Sequence, residues 1–344
     1  MAVRAFITGL ARLEISANER AFLREAEPWG LILFKRNIYT PEQVSALVRS
    51  FRDMVGREAP VLVDQEGGRV QRLGPPHWPV YPPGVRYSEL YDRDPASGLT
   101  AARLGARLIA HDLRDLGIDT DCLPLADVPV AGSDNVIGDR AYGTDPAKVA
   151  AIAGAVADGL LAGGVLPVLK HIPGHGRATA DSHLRLPVVD TDRATLERTD
   201  FAAFRPLASL PLGMTAHVVF SAVDPVQPAT TSVTIVGQVI RGFIGFRGLL
   251  MSDDVSMNAL SGTIAERSEA SLAAGCDVVL HCNGKLDEMM QVAAASPALT
   301  GEAARRAETA LLLRSAPLEF DVAEARRMFN ALAGSPPAQT MAKS

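Results

Sequence analysis

The sequence lacks the features that mark nucleic-acid-binding, disulfide-rich and membrane-spanning proteins. Its 34 Lys and Arg residues are outnumbered by 39 Asp and Glu residues, and no basic stripe indicates a nucleic-acid partner. Only three cysteines are present, with no short-range pairing pattern, and we interpret them as reduced thiols in a reducing compartment. No run approaches the roughly 18 consecutive apolar residues that a spanning helix needs, so we expect no membrane partner.

The N-terminal sequence MAVRAFITGLARLEIS has a short apolar run, but no small-residue cleavage site of the secretory type follows it. The 344-residue chain has no internal repeat, low-complexity tract or Pro/Gly-rich linker, and 47% of its residues are hydrophobic. We therefore expect a cytoplasmic protein with one globular domain over residues 1–344, of the size of an enzyme.

Short apolar runs bounded by Gly, Pro or Asp alternate with longer amphipathic segments along the chain. Such runs are typical of parallel strands that are buried on both faces. The predicted strands are 4–10, 30–36, 60–66, 119–127, 165–171, 212–219, 248–254 and 277–283. Eight strands that alternate with helices predict an α/β fold, the (β/α)8 TIM barrel, with irregularity allowed in the first strands.

Several segments between and after these runs have recognisable boundaries. Segments 40–56 and 145–163 each begin with a capping residue followed by proline and end on glycine, which is typical of helices. Segment 263–275 also ends on glycine and is predicted to be helical. The Pro- and aromatic-rich segment 74–97 is interpreted as a long loop. Residues 300–344 are expected to form one or two extra C-terminal helices and a frayed tail.

Every predicted strand except the first ends in charged, amide or histidine side chains. The carboxyl ends of the strands of such a barrel converge on one face, which carries the active site. So many charges are costly to bury unless they are paired or used. The residues are Lys35, Arg36, Asp64, Glu66, Asp127, Lys170, His171, His217, Asp253, Asp254, His281 and Asn283. This mixture of acceptors and cationic donors suits a small polyhydroxylated ligand, although a phosphate ligand would need similar cations.

Four segments resemble the sequence blocks of a known enzyme family. KHIPGHGRATADSH (170–183), which contains three of the seven histidines, resembles the KH-(F/I)-PGHG…DSH signature of bacterial β-N-acetylhexosaminidases of glycoside hydrolase family 3. DQEGGRVQRL (64–73), NVIGDRAYG (135–143) and MSDDVSMNAL (251–260) resemble three further blocks, in the family's order. The resemblance implies a (β/α)8 barrel and the single-domain, cytoplasmic type that takes part in peptidoglycan recycling.

The resemblance implies that Asp253 is the nucleophile of a retaining glycosidase, which forms a covalent glycosyl-enzyme. The residues alone do not distinguish Asp253 from Asp254, although neighbours on a strand point to opposite sides. We interpret Asp254 as a cap of the following turn. The resemblance further implies that His183 is the general acid/base, and that Asp181 fixes its tautomer and stabilises its imidazolium form.

The resemblance also implies a set of sugar-binding residues. Asp64 would accept hydrogen bonds from the outer hydroxyls of the sugar. The other implied ligands of the N-acetylglucosamine ring are Arg72, Arg140, Lys170 and His171. Since Lys170 and His171 are adjacent, a bulge or a strand end has to re-aim one of them.

The loop between these sites departs from the family pattern, which often has Gly-Asp-Thr after PGH, where this chain has Gly-Arg-Ala at 176–178. This change could alter how the loop packs or closes. Because glycines can act as hinges, we predict that loop 172–183 moves and delivers His183 only when substrate is bound. His175 is interpreted as an organiser of the loop, and Glu66–Gly68 as turn-forming residues only.

The resemblance thus implies a monomeric, retaining exo-β-N-acetylglucosaminidase, whose small-molecule substrate is a muropeptide-derived glycoside with terminal β-N-acetylglucosamine. A phosphorylase is an alternative, because a histidine acid/base carries no negative charge to repel phosphate. A metal-dependent barrel hydrolase is another, since His and Asp residues can bind zinc, but a His-x-His pair after strand one is missing. A sugar-binding protein without catalysis is disfavoured by the presence of Asp181, His183 and Asp253. No metal or cofactor is expected.

Overall fold

The computed structural model of the protein describes residues 2–182 and 185–334. Eight parallel strands close into a barrel, in which each strand pairs with its predecessor and the last strand pairs with the first. The strands are β1 (Arg4–Thr8), β2 (Pro28–Leu33), β3 (Val61–Val63), β4 (Thr120–Asp121), β5 (Leu166–Ile172), β6 (Leu212–Thr215), β7 (Leu249–Asp254) and β8 (Val278–His281). The predicted (β/α)8 TIM barrel is confirmed, and the irregularity allowed at its start is a register shift between β1 and β2.

Helices follow the strands and cover the outside of the barrel. They are α1 (Ala17–Ala26), α2 (Pro41–Val55), α3 (Gly84–Arg93), α4 (Pro95–Arg114), α5 (Pro146–Ala162), α6 (Arg193–Arg198), α7 (Asp200–Phe204), α8 (Ile264–Ala274) and α9 (Leu286–Ala295). Between β6 and β7 the helix position is taken by a π-helix, Ile235–Ile244. No helix in the described part of the chain is long and apolar enough to cross a lipid bilayer.

Two further helices, α10 (Gly301–Leu312) and α11 (Val322–Ala333), confirm the extra C-terminal helices. Ala307 and Ala310 of α10 belong to the apolar cluster of the barrel interior, so this helix packs against the barrel strands. Phe329 of α11 lies against Tyr81, with ring centroids 6.3 Å apart. It also approaches Gly105 of α4 so closely that a Cβ there would lie 2.8 Å from the Phe329 ring.

Local sequence signals explain the helix ends. The Thr40 side chain accepts a hydrogen bond from the Gln43 amide, and Asp145 caps α5 in the same way. Gly56 and Gly275 end α2 and α8 in the left-handed backbone region, with φ of +62° and +112°. These positions favour glycine because a Cβ is strained there. The predicted helices over these segments are confirmed.

Two sequence predictions are wrong in detail. The strand predicted over 119–127 has regular pairing only at Thr120–Asp121, because Pro124 cannot donate to a strand ladder. The segment 74–97 is not one long loop, since α3 occupies Gly84–Arg93 within it. The prolines of the segment end at Pro83, and the residues that follow bury Tyr87 and Leu90 on one helical face.

Side-chain alternation along the strands carries charge into the mouth of the barrel. Leu249 and Met251 of β7 belong to the apolar cluster of the barrel interior, and Asp253 continues the same face. In β5, Val168 belongs to that cluster and Lys170 continues its face. The strand interiors are therefore apolar, and the first polar side chains beyond them meet above the core.

Candidate active site

One cavity at the carboxyl ends of the strands collects most of the predicted site residues. The predicted residues that line it are Asp64, Arg72, Arg140, Lys170, His171 and Asp253. Both Lys170 and His171 face the cavity although they are adjacent, and the pairing of β5 with β6 shifts register around them, between Leu169 and Ile172. The predicted general acid/base, His183, lies outside the described residues.

A row of alternating charges forms one wall of the cavity. The buried Lys170 ammonium lies 3.1 Å from the Asp64 carboxylate and 2.6 Å from the Glu66 carboxylate. Arg140 donates two hydrogen bonds of 2.8 Å to the two oxygens of Glu66. Arg72 donates one of 2.8 Å to Asp64. Each carboxylate is thus shared by two cations, and this pairing is what makes the burial of five charges possible.

The pairing holds these groups in their charged forms. Burial alone would raise the pKa of Asp64, but Lys170 and Arg72 outweigh burial and lower it. Burial would likewise raise the pKa of Glu66, but Arg140 and Lys170 outweigh burial and lower it. The pKa of Lys170 is raised because Glu66 and Asp64 outweigh the cost of burying its ammonium. All three groups are therefore charged at neutral pH.

Glu66 corrects the interpretation of residues 66–68 as turn formers only. Its carboxylate is buried, lines the cavity and holds both Arg140 and Lys170. The sequence signal for this role was present, because Glu66 is one of the charged residues that follow the third strand. Gly67 and Gly68 do shape the turn, with φ of +90° and +56°.

Asp127 has a role that the sequence analysis did not assign. Its fully buried carboxylate accepts a 2.7 Å hydrogen bond from His171 Nδ1 and a 2.6 Å hydrogen bond from the His175 backbone amide. Burial would raise the pKa of Asp127, but the neighbouring His171 lowers it. Since the carboxylate accepts from Nδ1, Nε2 is the second polar atom of the His171 ring, and His171 lines the cavity.

His175 connects the first part of the loop to its end, in agreement with its interpretation as an organiser. Its Nε2 lies 3.0 Å from the Ser182 hydroxyl, and its ring packs edge-on against His171. Burial, and then the neighbouring His171, lower the pKa of His175 to about 4, so its ring is neutral at pH 7. The Ser182 carbonyl accepts from the Ala259 amide, which follows β7.

Arg177, where the sequence departs from the family pattern, binds the loop to α7. Its Nε donates a 2.6 Å hydrogen bond to the buried Asp200 carboxylate, and its Nη2 donates to the Thr199 hydroxyl. The preceding Gly176 packs so closely that a Cβ would lie 2.2 Å from the Val128 carbonyl. This glycine is therefore required by packing, which is a different role from the predicted hinge.

The two adjacent aspartates after β7 have different surroundings. Asp254 accepts hydrogen bonds from the Ser256 amide (2.9 Å) and hydroxyl (2.7 Å), so it caps the turn as interpreted. It also accepts from the Cys282 amide at 3.1 Å. The half-buried Asp253 side chain lines the cavity, and its Oδ1 accepts from the Asp254 amide at 2.8 Å. Both aspartates line the cavity, and Asp253 continues the strand face of Leu249 and Met251.

Within residues 2–182 and 185–334, no group of three or more His, Cys, Asp or Glu side chains is arranged to hold a metal ion. Cys122, Cys276 and Cys282 are buried and free.

The chain matches the family model of the glycosyl hydrolase family 3 N terminal domain over residues 3–308. It belongs to glycosyl hydrolase family 3. A beta-hexosaminidase of Alkalilimnicola ehrlichii is 40% identical over 289 residues, which cover 82% of each chain. A beta-hexosaminidase of Xylella fastidiosa strain M23 is 37% identical over 311 residues, or 89% of each chain.

Solved structures of this family share the fold over almost the whole chain. The native NagZ of Neisseria gonorrhoeae is 31% identical, with a TM-score of 0.87 over 98% of this chain and 99% of that one. The same enzyme in complex with N-trifluoroacetyl-D-glucosamine gives a TM-score of 0.85 at 30% identity, over 97% and 98% of the two chains. The predicted family, barrel and enzyme class, a β-N-acetylhexosaminidase type of glycoside hydrolase, are thereby confirmed.

Proposed function

We propose that this family 3 enzyme is a retaining exo-β-N-acetylglucosaminidase. It removes terminal, non-reducing β-N-acetylglucosamine from muropeptide-derived glycosides, as a monomer in the cytoplasm, during peptidoglycan recycling. The observation that carries the proposal is the gathering of Asp253 and the alternating charged row in one cavity at the barrel mouth. The amino sugar bound by the Neisseria gonorrhoeae relative supports a ligand of the N-acetylglucosamine class.

In the first step, the Asp253 carboxylate attacks the anomeric carbon, and the glycosidic C–O bond breaks as His183 protonates the departing oxygen. In the second step, water attacks the anomeric carbon, His183 takes the proton of that water, and the ester bond to Asp253 breaks. Both steps invert the anomeric carbon, so the product retains the β configuration. Asp181 would fix the His183 tautomer and stabilise its protonated form.

Ser182 supports the position of this dyad. Ser182 lines the same cavity as Asp253, and its carbonyl accepts from Ala259 in the segment that follows the nucleophile strand. The residue next along the chain is His183, the proposed general acid. We also propose that loop 172–183 moves and delivers His183 when substrate binds.

The five binding residues are proposed to hold the sugar ring. Asp64, Arg72 and Lys170 present acceptors and donors that are fixed by one another, and Arg140 is fixed by Glu66. These contacts orient the four side chains before the ligand arrives. His171 adds Nε2, held in position through Asp127 at its other nitrogen. Such fixed polar groups suit the hydroxyls and the acetamide of an amino sugar.

Trapping the covalent intermediate tests the proposed nucleophile. A 5-fluoro derivative of N-acetylglucosaminyl fluoride should form a stable ester with the enzyme, and peptide mass spectrometry should place the label on Asp253. Asp253→Ala should remain unlabelled and lose at least ~10⁴-fold in kcat on an aryl β-N-acetylglucosaminide, because the nucleophile is gone. A label on Asp254 or on any other residue would refute the assignment.

Water is the proposed acceptor, and phosphate is the alternative. In the described part of the cavity, the cations Arg72, Lys170 and Arg140 are each paired with a carboxylate, which lowers the attraction for an incoming phosphate. Turnover in the presence and absence of phosphate should yield free N-acetylglucosamine at the same rate. Accumulation of N-acetylglucosamine 1-phosphate would instead establish a phosphorylase.

A further inference from the structure

A buried hydrogen-bond network beneath the cavity is not used by the mechanism above. It consists of Thr215 at the end of β6, His217 two residues later, and Thr230 in the 3-10 turn Ala229–Thr231. All three side chains are fully buried. The network touches the backbone of the chain on both sides of the Asp253 side chain, so it can act on that carboxylate without touching the substrate.

The network runs from one backbone group to another. The Asp253 amide donates to the Thr215 hydroxyl at 3.3 Å, and the Thr215 and Thr230 hydroxyls are 2.8 Å apart. The Thr230 hydroxyl is 2.7 Å from His217 Nδ1, and His217 Nε2 is 3.0 Å from the Asp254 carbonyl. The peptide group that precedes Asp253 and the one that follows Asp254 are therefore bound by one connected set of side chains.

The chemistry of these atoms gives the network one direction when His217 is neutral. A carbonyl oxygen only accepts, so His217 Nε2 carries the hydrogen and Nδ1 is left as an acceptor. Nδ1 then accepts from the Thr230 hydroxyl, which also lies 3.1 Å from the Ala216 carbonyl. Thr230 in turn accepts from Thr215, and Thr215 accepts from the Asp253 amide. Each hydroxyl donates once and accepts once along this path.

The strand ladder does not supply this support by itself. Regular pairing of β7 with β6 ends at Met251, opposite Met214. Pairing of β7 with β8 shifts register between Met251 and Asp254. The nucleophile thus follows the last pair with β6 and lies in the register shift before pairing with β8 resumes at Asp254, opposite Leu280. Thr215, next after Met214, binds it through a side chain in place of the backbone.

We infer that Thr215, His217 and Thr230 are positioning residues that fix the Asp253–Asp254 backbone and so aim the Asp253 carboxylate at the anomeric carbon. This inference rests on the proposed function, because it assumes that Asp253 attacks the sugar. Misplacing a reacting group by about 1 Å can cost about 100-fold in rate, even when the responsible residue lies outside the site. The proposed sugar-binding residues belong to other segments of the chain and stay in place, so binding should change much less than the rate of attack.

Thr230→Val tests the inference, since it removes the hydroxyl and keeps the shape of the side chain. We expect the rate of Asp253 labelling by the 5-fluoro sugar and kcat to fall about 10- to 100-fold, with KM little changed. Thr230→Ser should restore most of the rate because it restores the hydroxyl. Thr231→Val is the matched control: its hydroxyl bonds to Gln227 outside the network, and the variant should behave like the parent enzyme.

Several results would overturn the inference. One is labelling of Asp253 in Thr230→Val at the wild-type rate. Another is a loss of kcat in Thr230→Ser as large as in Thr230→Val, and a third is an effect mainly on KM.

Selective ¹⁵N labelling of histidine provides a test in the intact enzyme, where His217 should carry its proton on Nε2. A proton on Nδ1 alone would reverse the hydrogen bonds of the network and refute the inference. If the wild-type label lands away from Asp253, the proposed function itself fails, and the inference falls with it. If the wild-type enzyme is labelled on Asp253 and Thr230→Val has the same labelling rate and kcat, only the inference is refuted and the proposed function stands.

Discussion

Glu66 is the residue on which the binding wall depends most, because its carboxylate is bound by two buried cations. Its partners, Arg140 and Lys170, cannot move to solvent to find other acceptors, since both are largely buried. Asp64 holds Lys170 and Arg72 in the same manner. The wall is therefore a set of mutually dependent charges, and a change at one of them reaches the others.

Glu66→Gln should leave two buried cations short of one negative charge. Removing one partner of a buried ion pair costs about 3–5 kcal/mol, so thermal unfolding should move to a clearly lower midpoint. KM should rise because Lys170 and Arg140 lose their fixed positions. The control is Glu58→Gln, whose side chain is 80% exposed beside Arg52 and should change stability by under about 0.5 kcal/mol. Equal effects of the two substitutions would contradict the proposed wall.

His183→Ala should affect substrates according to their leaving group. A poor leaving group such as the hydroxyl of a second sugar needs protonation as the glycosidic bond breaks, whereas nitrophenolate needs little. We expect the loss in kcat/KM to be about 10²- to 10⁴-fold for the sugar glycoside and much smaller for nitrophenyl glycoside. Steady-state kinetics on the two substrates measure the difference. Equal losses would show that His183 is not the acid.

At the scale of the element, the loop after β5 is held at several points. Asp127 accepts from the His175 amide, the Asp134 amide donates to the Ala178 carbonyl, and Arg177 binds Asp200 of α7. Segment 174–178 thus has backbone and side-chain partners on both sides. Movement of loop 172–183 would have to break these contacts.

Arg177→Ala should destabilise the protein because it leaves the buried Asp200 carboxylate without its cation. We expect a loss of about 3 kcal/mol in the free energy of unfolding, measured by denaturant titration. Arg177→Lys should recover part of it. The partly exposed pair Arg193–Glu197 on α6 is the control, and Arg193→Ala should cost under about 0.5 kcal/mol. A neutral Arg177→Ala would mean that the departure from the family pattern has no structural consequence.

At the scale of the whole molecule, buried titratable groups couple folding to pH. His175 has its pKa lowered from 6.5 to about 4 by burial and by His171. The unfolded chain therefore binds this proton at higher pH than the folded protein does. Stability contributed by the neutral ring is complete above pH 6.5, is lost as the pH falls towards 4, and changes no further below 4. The lowered pKa values of Asp64 and Glu66 add a second loss of stability at lower pH. This loss begins only when the pH falls far enough for the two carboxylates to be protonated in the unfolded chain.

Denaturant titrations between pH 7.5 and 4 should resolve the first window. The full effect of His175 is on the order of 3 kcal/mol, from about 1.4 kcal/mol per unit of pKa shift. His175→Gln keeps a polar side chain and removes the titration, so its stability should depend less steeply on pH between 6.5 and 4. An identical slope in both proteins would show that His175 does not control this window.

Much of this protein is determined by local sequence. Three local signals predict the barrel and most helix positions: apolar runs of strand length, capping residues such as Thr40 and Asp145, and glycines at helix ends. Each of them depends only on residues that are close together in the sequence. The family blocks carry the assignment of Asp253, while alternation along β7 places that residue at the barrel mouth. Boundaries were less predictable, as α3 shows, because burial of its Tyr87 face depends on packing against other helices.

Only the tertiary structure decided which charges meet. Glu66 and Arg140 are 74 positions apart in the chain, and Asp127 lies 44 positions before His171. No local pattern specifies such pairs, because their contact depends on strand order and register around the closed barrel. Burial then sets the strength of these ion pairs. A carboxylate at the surface interacts only weakly with a nearby cation because water screens the charges, whereas the buried Glu66 carboxylate interacts strongly with two cations in the barrel mouth. The sequence determined where polar side chains begin, and the closure of the barrel determined what each of them binds.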